Sequence, residues 1–276
     1  MVRIITDSAA DFEPYELERQ KISCIPLKVM LGGTEYEENV NLSKDQFFSL
    51  LASTGDTPKT SQPSPQILID LYQDALKAGE EAIYITLSSA LSGTYQSACM
   101  TKNLLDWDGC HIFDSRNATG GQRLLVEQAC ALRDAGKSME EIISALENIR
   151  EKIRLFACID TLEYLYKGGR ISQTAYTLGT LANIKPIITV DPDGGIGVPQ
   201  KAMGMRKGMD ILCKQMAQMP PDPAYPVYAM FTNNRTTAET LAKKMGNVDD
   251  SHIIQVGAAI GSHIDPDACG LVYIAK

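Results

Sequence analysis

No run of apolar residues in this chain approaches the roughly 20 needed to cross a bilayer. The longest, such as Pro186 to Val190, fall far short of it. The N-terminus enters a strand-like run, Val2-Arg3-Ile4-Ile5, without the charged, apolar and small-residue succession of a signal peptide. A cytoplasmic protein is expected. Basic excess is missing as well: 26 Lys and Arg stand against 34 Asp and Glu, a formal net charge of −8. That balance argues against nucleic acid or an anionic membrane as the main partner. Histidine is scarce (His111, His252 and His263) and shows no ligand spacing, so no structural metal is expected. The seven cysteines, Cys24, Cys99, Cys110, Cys130, Cys158, Cys213 and Cys269, contain no C-x-x-C pair. An odd, scattered set in apolar surroundings reads as free thiols in a reducing compartment. Neither G-x-G-x-x-G nor G-x-x-x-x-G-K occurs, so no cofactor is expected. Internal repeats, low-complexity tracts and long linkers are absent too.

What is present is an ordinary globular composition, 276 residues with 44% hydrophobic and 22% charged, enough for one large or two modest domains. Strand-like runs at 3–6, 22–31, 82–86 and 110–113 alternate with helical stretches at 14–20, 46–52, 66–78, 98–105, 120–135 and 139–152. Such alternation predicts βαβ units and a mainly parallel sheet with helices on both faces. From about Ile153 the texture changes. Strands at 155–159, 187–190, 196–199, 227–231, 252–256 and 271–275 are interspersed with helices at 161–166, 170–182, 205–219 and 236–245. The turn Asp191-Pro192-Asp193-Gly194-Gly195 predicts a hairpin. The expectation is an α/β chain of two domains, 1–152 with the parallel sheet and 153–276 with an antiparallel or mixed one.

The stretch around which the first half is organised is Thr86-Leu-Ser-Ser-Ala-Leu-Ser-Gly-Thr-Tyr-Gln-Ser97, between the strand Ala82–Thr86 and the helix that follows. Four serines, threonines and one glycine at a strand-to-helix junction suit a negatively charged oxygen. Taken singly, Ser92 is a helix N-cap. A second hydroxyl-rich turn, Thr60-Ser61-Gln62-Pro63-Ser64, also precedes a helix, and two such turns suggest one shared anion site. Asp7 and Ser8, at another strand end, either face a ligand or serve as turn and cap residues. In open α/β sheets ligands sit beyond the carboxyl ends of the strands, where all these turns fall.

Six segments carry a resemblance along essentially the whole chain: Thr6-Asp7-Ser8, Thr60-Ser61-Gln62-Pro63-Ser64, Ser88-Ser89-Ala90-Leu91-Ser92-Gly93-Thr94-Tyr95, Leu165-Tyr166-Lys167-Gly168-Gly169-Arg170-Ile171-Ser172, Lys185-Pro186 and Gly257-x-x-Ile260-Gly261-x-His263. In these the protein resembles the DegV family of bacterial fatty-acid-binding proteins, which includes the fatty-acid-binding subunits of fatty acid kinase. The resemblance implies a two-domain α/β fold that encloses one long-chain fatty acid, such as palmitate, stearate or oleate. The acid's carboxylate would lie near the interdomain cleft and its tail in an apolar tunnel. By motif position, Thr60 and Ser92 would be the hydroxyl ligands of the carboxylate, with Arg170 and His263 grouped around them and Ser61, Ser89 and Gly93 in the same turns. The resemblance further implies no catalysis by this chain, but presentation of the acid to a separate ATP-using kinase subunit that makes the acyl phosphate.

Two segments depart from the family pattern. Asp265-Pro266-Asp267 stands where Gly-Pro-Gly is usual, and the two carboxylates are expected to raise the pKa of His263. Met203 stands where kinase-coupled members carry an arginine, although Lys201, Arg206 and Lys207 keep that segment basic. Two other classes compete with a lipid carrier. One is a serine hydrolase or acyltransferase using Ser92 or Ser89, His263 and Asp265, against which no G-x-S-x-G elbow occurs. The other is a phosphosugar or dihydroxyacetone-type kinase domain, for which no phosphate loop or carboxylate cluster speaks.

Overall fold

The computed structural model describes residues 2–177, 183–246 and 248–276. Its strands in chain order are β1 (Val2–Asp7), β2 (Ile22–Ile25), β3 (Lys28–Leu31), β4 (Thr34–Glu37), β5 (Lys59–Ser61), β6 (Glu81–Thr86), β7 (Cys110–Asp114), β8 (Ile153–Cys158), β9 (Ile184–Val190), β10 (Ile196–Met203), β11 (Tyr228–Phe231), β12 (Ile253–Gln255) and β13 (Cys269–Ile274). The helices are α1 (Pro14–Gln20), α2 (Lys44–Thr54), α3 (Pro65–Lys77), α4 (Thr94–Leu104), α5 (Thr119–Asp134), α6 (Met139–Arg150), α7 (Glu163–Lys167), α8 (Gln173–Thr177), α9 (Met205–Gln218), α10 (Arg235–Lys244) and α11 (Ala258–Gly261).

The first sheet has the order β2-β1-β6-β7 and every pairing in it is parallel. Its strands are apolar on both faces, as a sheet covered twice must be. Ile5, Ala82 and Tyr84 point to the layer of α3 and α4, while Ile4, Ile83 and Ile85 point to that of α5 and α6. The second sheet, β10-β9-β8-β13-β11-β12, is antiparallel except for the β11–β12 pair, so it is mixed. The expected hairpin at Asp191–Gly195 joins β9 and β10.

Helix α5 lies between the two sheets, its residues sharing one core with Ile4 and Ile83 on one side and Leu155, Met230 and Val272 on the other. The close approach explains Gly120 in its first turn. A Cβ there would stand 2.5 Å from Val272 Cγ1 and 3.0 Å from Met230 Sδ.

A third, three-stranded antiparallel sheet, β4-β3-β5, corrects the expected single strand 22–31. Pro26 has no N–H to donate, so the run breaks there. Beyond it, Leu27 N donates to Ser8 Oγ at 3.0 Å, and β3 turns away to pair with β4 and β5. Two helix starts also differ. Helix α4 begins at Thr94, with Gly93 rather than Ser92 at its N-cap. Arg170 precedes α8 and is not inside it, and the expected continuation of that helix to Ala182 falls outside the described residues.

Candidate functional site

Between the mixed sheet and the loops at the carboxyl ends of the parallel strands lies a cavity of about 350 Å3. Its walls are aliphatic: Leu155, Ala157 and Ile188 from β8 and β9, Met230 from β11, and Leu87 and Ala118 from the loops after β6 and β7. The polar lining includes Thr60, Ser61, Gln62, Ser92, Arg170 and His263. An apolar cavity with a few convergent polar groups is the usual form of a small-molecule site.

Each polar group is held by a different element. Thr60 sits in β5, where its register partner is Val29 of β3, so it is placed by a strand and not by a helix cap. Helix α3 is capped instead by Ser64, whose hydroxyl accepts from Gln66 N. His263 follows α11, and the start of α11 is held by two buried carboxylates. Asp11 Oδ1 accepts from Gly257 N at 2.8 Å, and Glu38 Oε1 accepts from Ala259 N at 3.1 Å. His263 Nε2 and Thr60 Oγ1 are 2.9 Å apart, while His263 Nδ1 is buried and has no hydrogen-bond partner among the described residues. Room for the ring depends on Gly168, because a Cβ there would fall 2.1 Å from His263 Nδ1.

Burial, reinforced by the Arg170 charge, pulls the His263 pKa down to about 4. The imidazole is therefore neutral at physiological pH. This corrects the expectation that the acidic loop raises the pKa. Asp265 is turned into its own loop, where its Oδ2 accepts from Asp160 N at 2.7 Å and Thr161 N at 3.2 Å and its Oδ1 from Asp267 N at 3.0 Å. Burial pushes Asp265 up to about 6.

Arg170 is half-buried and burial lowers its pKa. Its Nε donates to the Leu91 carbonyl at 2.9 Å, and a second donor meets the Gly168 carbonyl. Among the described residues no carboxylate pairs with it. Arg170 thus ties the Gly168-Gly169 segment to the serine-rich turn while its charge goes uncompensated. That turn is joined to the other: a Cβ on Gly93 would lie 2.9 Å from Gln62 Oε1. Ser92 Oγ stays local, 2.9 Å from Thr94 Oγ1 and accepting from Thr94 N at 3.3 Å.

The structure thus brings Thr60, Ser61, Ser92, Gly93, Arg170 and His263 to one cavity, but not Ser89. Asp114 claims Ser89, taking its hydroxyl at 2.5 Å and its N–H at 3.1 Å. Asp7 and Ser8 also stay outside and act as turn residues. Asp7 accepts from Ala9 N and Leu87 N, and Ser8 Oγ from Leu27 N. A hydrolase relay is not assembled, since His263 bonds Thr60 rather than Ser92 and all the Asp265 contacts are to backbone amides. Among the described residues no group of three or more His, Cys, Asp or Glu is placed to hold a metal. Sequence reasoning passed over Gln62 and the ring-accommodating role of Gly168. Gly168 has an ordinary negative φ, so only its contact with His263 reveals it.

A family model described as "Uncharacterised protein, DegV family" matches residues 1–276. A DegV domain-containing protein of Caldanaerobacter subterraneus subsp. tengcongensis is 32% identical over 279 residues, covering 100% of this chain and 99% of that one. A DegV family protein from Thermus thermophilus, described for its fatty acid binding, superposes with a TM-score of 0.89 at 25% identity, over 100% of this chain and 99% of that one. DegV from Bacillus subtilis, described as a fatty acid binding protein, gives 0.84 at 26% identity with the same coverage. The full-length match, together with the parallel and mixed sheets and the cavity at their junction, places the chain in the DegV family.

Proposed function

We propose that this protein binds one long-chain fatty acid of the palmitate, stearate or oleate class and performs no chemistry on it. The observation that carries this reading is Arg170, a half-buried cation without a carboxylate partner among the described residues, at a cavity otherwise walled by aliphatic side chains. An acyl carboxylate supplies the missing charge. Thr60, Ser92 and the neutral His263 then offer hydrogen bonds that offset its loss of water. His263 at a pKa of about 4 adds no second positive charge, so Arg170 alone balances the carboxylate. The tail needs only apolar wall, at roughly 0.8 kcal/mol per buried CH2. Fatty acid binding described for the Thermus thermophilus and Bacillus subtilis relatives supports the same class of ligand.

In this proposal the carboxylate, at the polar end of the cavity between units 1–152 and 153–276, is presented to a separate cytoplasmic kinase subunit that forms the acyl phosphate. The exposed segment with Lys201, Met203, Arg206 and Lys207 is the docking face offered to it. The test is mass spectrometry of small molecules released by denaturing freshly purified protein. The expected result is a long-chain fatty acid near one per chain. Absence of any such acid, together with no uptake of added palmitate or oleate by the folded protein, refutes the reading.

A further inference from the structure

A second cavity, of about 240 Å3, opens where the loop after β7 meets the turn between α6 and β8, and three arginines converge on it: Arg116, Arg150 and Arg154. Thr189 and Val190 line both this cavity and the apolar one, so β9 is the partition between them. We propose that the arginine cavity is a second ligand site, for a phosphate dianion, either free or as a phosphate monoester. The proposal does not rest on the fatty acid reading.

Charge balance carries the argument. Among the described residues the single carboxylate within ion-pair distance of any of the three guanidiniums is Glu151, whose Oε1 lies 3.4 Å from Arg116 Nη1 and 3.7 Å from Arg150 Nε. Glu151 is 59% exposed on its side chain and Arg116 is 41% exposed, a setting in which an ion pair contributes little. Asp191 lines the cavity but pairs with none of the three. Two of the arginines are also held in place, as a site requires. Arg150 Nη1 donates to the Asp114 carbonyl at 2.9 Å and its guanidinium lies 4.9 Å from the Phe113 ring centre, while Arg154 Nη1 donates to the carbonyls of Glu151 and Ile153 at 2.8 Å. Arg150 lines the cavity, and its Nε is buried and has no hydrogen-bond partner among the described residues.

Arg116 is held in the left-handed region at φ 46, which brings its side chain to the same cavity at the expense of an unfavourable backbone. Three forked, permanently charged donors against one exposed carboxylate leave charge for a dianion, and phosphate offers the several oxygens that such forks engage.

Titration calorimetry of the intact protein at fixed ionic strength, with inorganic phosphate in one arm and AMP in the other, tests the proposal. Binding of both with similar affinity indicates that the dianion alone is read; clearly tighter AMP binding indicates a phosphate monoester. A charge-assisted hydrogen bond contributes about 1.5–3 kcal/mol, so R116Q and R154Q are each expected to weaken binding about ten-fold or more. Glu151→Gln, which removes the competing carboxylate, is expected to tighten it, a gain that loss of folding cannot mimic. Absence of binding of either probe at millimolar concentration, or unchanged affinity in both arginine variants, overturns the proposal.

Discussion

Two adjacent side chains at the polar end of the cavity have opposite electrostatic fates. Arg170 remains charged without an acid beside it among the described residues, and its field, added to burial, keeps His263 neutral. The ring can then share a proton with Thr60 Oγ1, and the charge that must be met on binding an acid is Arg170's alone. Arg170→Gln is therefore expected to weaken long-chain fatty acid affinity by about ten-fold or more, from the loss of one charge-assisted contact. Thr60→Ala leaves His263 Nε2 without its partner and is expected to weaken binding to a smaller extent. Displacement of a fluorescent fatty acid measures both, and unchanged affinity in the two variants would remove them from the site.

Helix α11 is short, and its start rests on carboxylates from distant parts of the chain, Asp11 and Glu38. Both are buried side by side, and burial plus the neighbouring Asp11 charge pushes Glu38 up to about 7. A carboxyl whose folded pKa is raised stabilises the protein most below its unfolded pKa, and that stabilisation is lost as pH rises through 7. Glu38→Gln keeps an oxygen for Ala259 N and carries no charge to bury. Relative to wild type it should be more stable at pH 8 than at pH 5, read as melting temperature at the two values. A constant difference would mean that Glu38 is not titrating against α11.

Helix α5 offers the complementary test, of packing rather than charge. Gly120→Ala places a methyl group 2.5 Å from Val272 Cγ1, so the two layers must part. Overpacking of this kind costs about 1–3 kcal/mol. The variant should melt several degrees lower even though alanine is the better helix former.

At the scale of the whole molecule, the main cavity lies between the mixed sheet and the loops that follow the parallel strands, so a ligand in that cavity touches both. Anything that binds only the folded state stabilises it by mass action, by about 2.7 kcal/mol at a hundred times its dissociation constant. Delipidated protein should accordingly melt at a lower temperature. Palmitate or oleate should restore the loss, whereas a long-chain alcohol, lacking the carboxylate for Arg170, should restore less of it. Equal restoration by acid and alcohol would show that the polar end contributes nothing.

Much of this was legible without coordinates. The alternation of strand and helix, the change of texture near Ile153 and the hairpin at Asp191–Gly195 are local signals, written within a few residues. The motifs likewise pointed to Thr60, Ser92, Arg170 and His263, which the fold brings to one cavity. What the sequence could not supply were choices among partners remote along the chain. Thr60 and His263 are separated by 203 positions. Ser89 has the same chemistry as Ser92, and only the register of β6 beside β7 hands its hydroxyl to Asp114. Asp265 could not be known to turn toward the backbone of Asp160 and Thr161, so the pKa of His263 was expected to move the wrong way. The sequence by itself determined the family and most of the elements, though not β4, β5 and α11, because periodicity, capping and motif chemistry are local. Tertiary structure decided which charges are compensated, because desolvation and pairing depend on neighbours that only folding brings together.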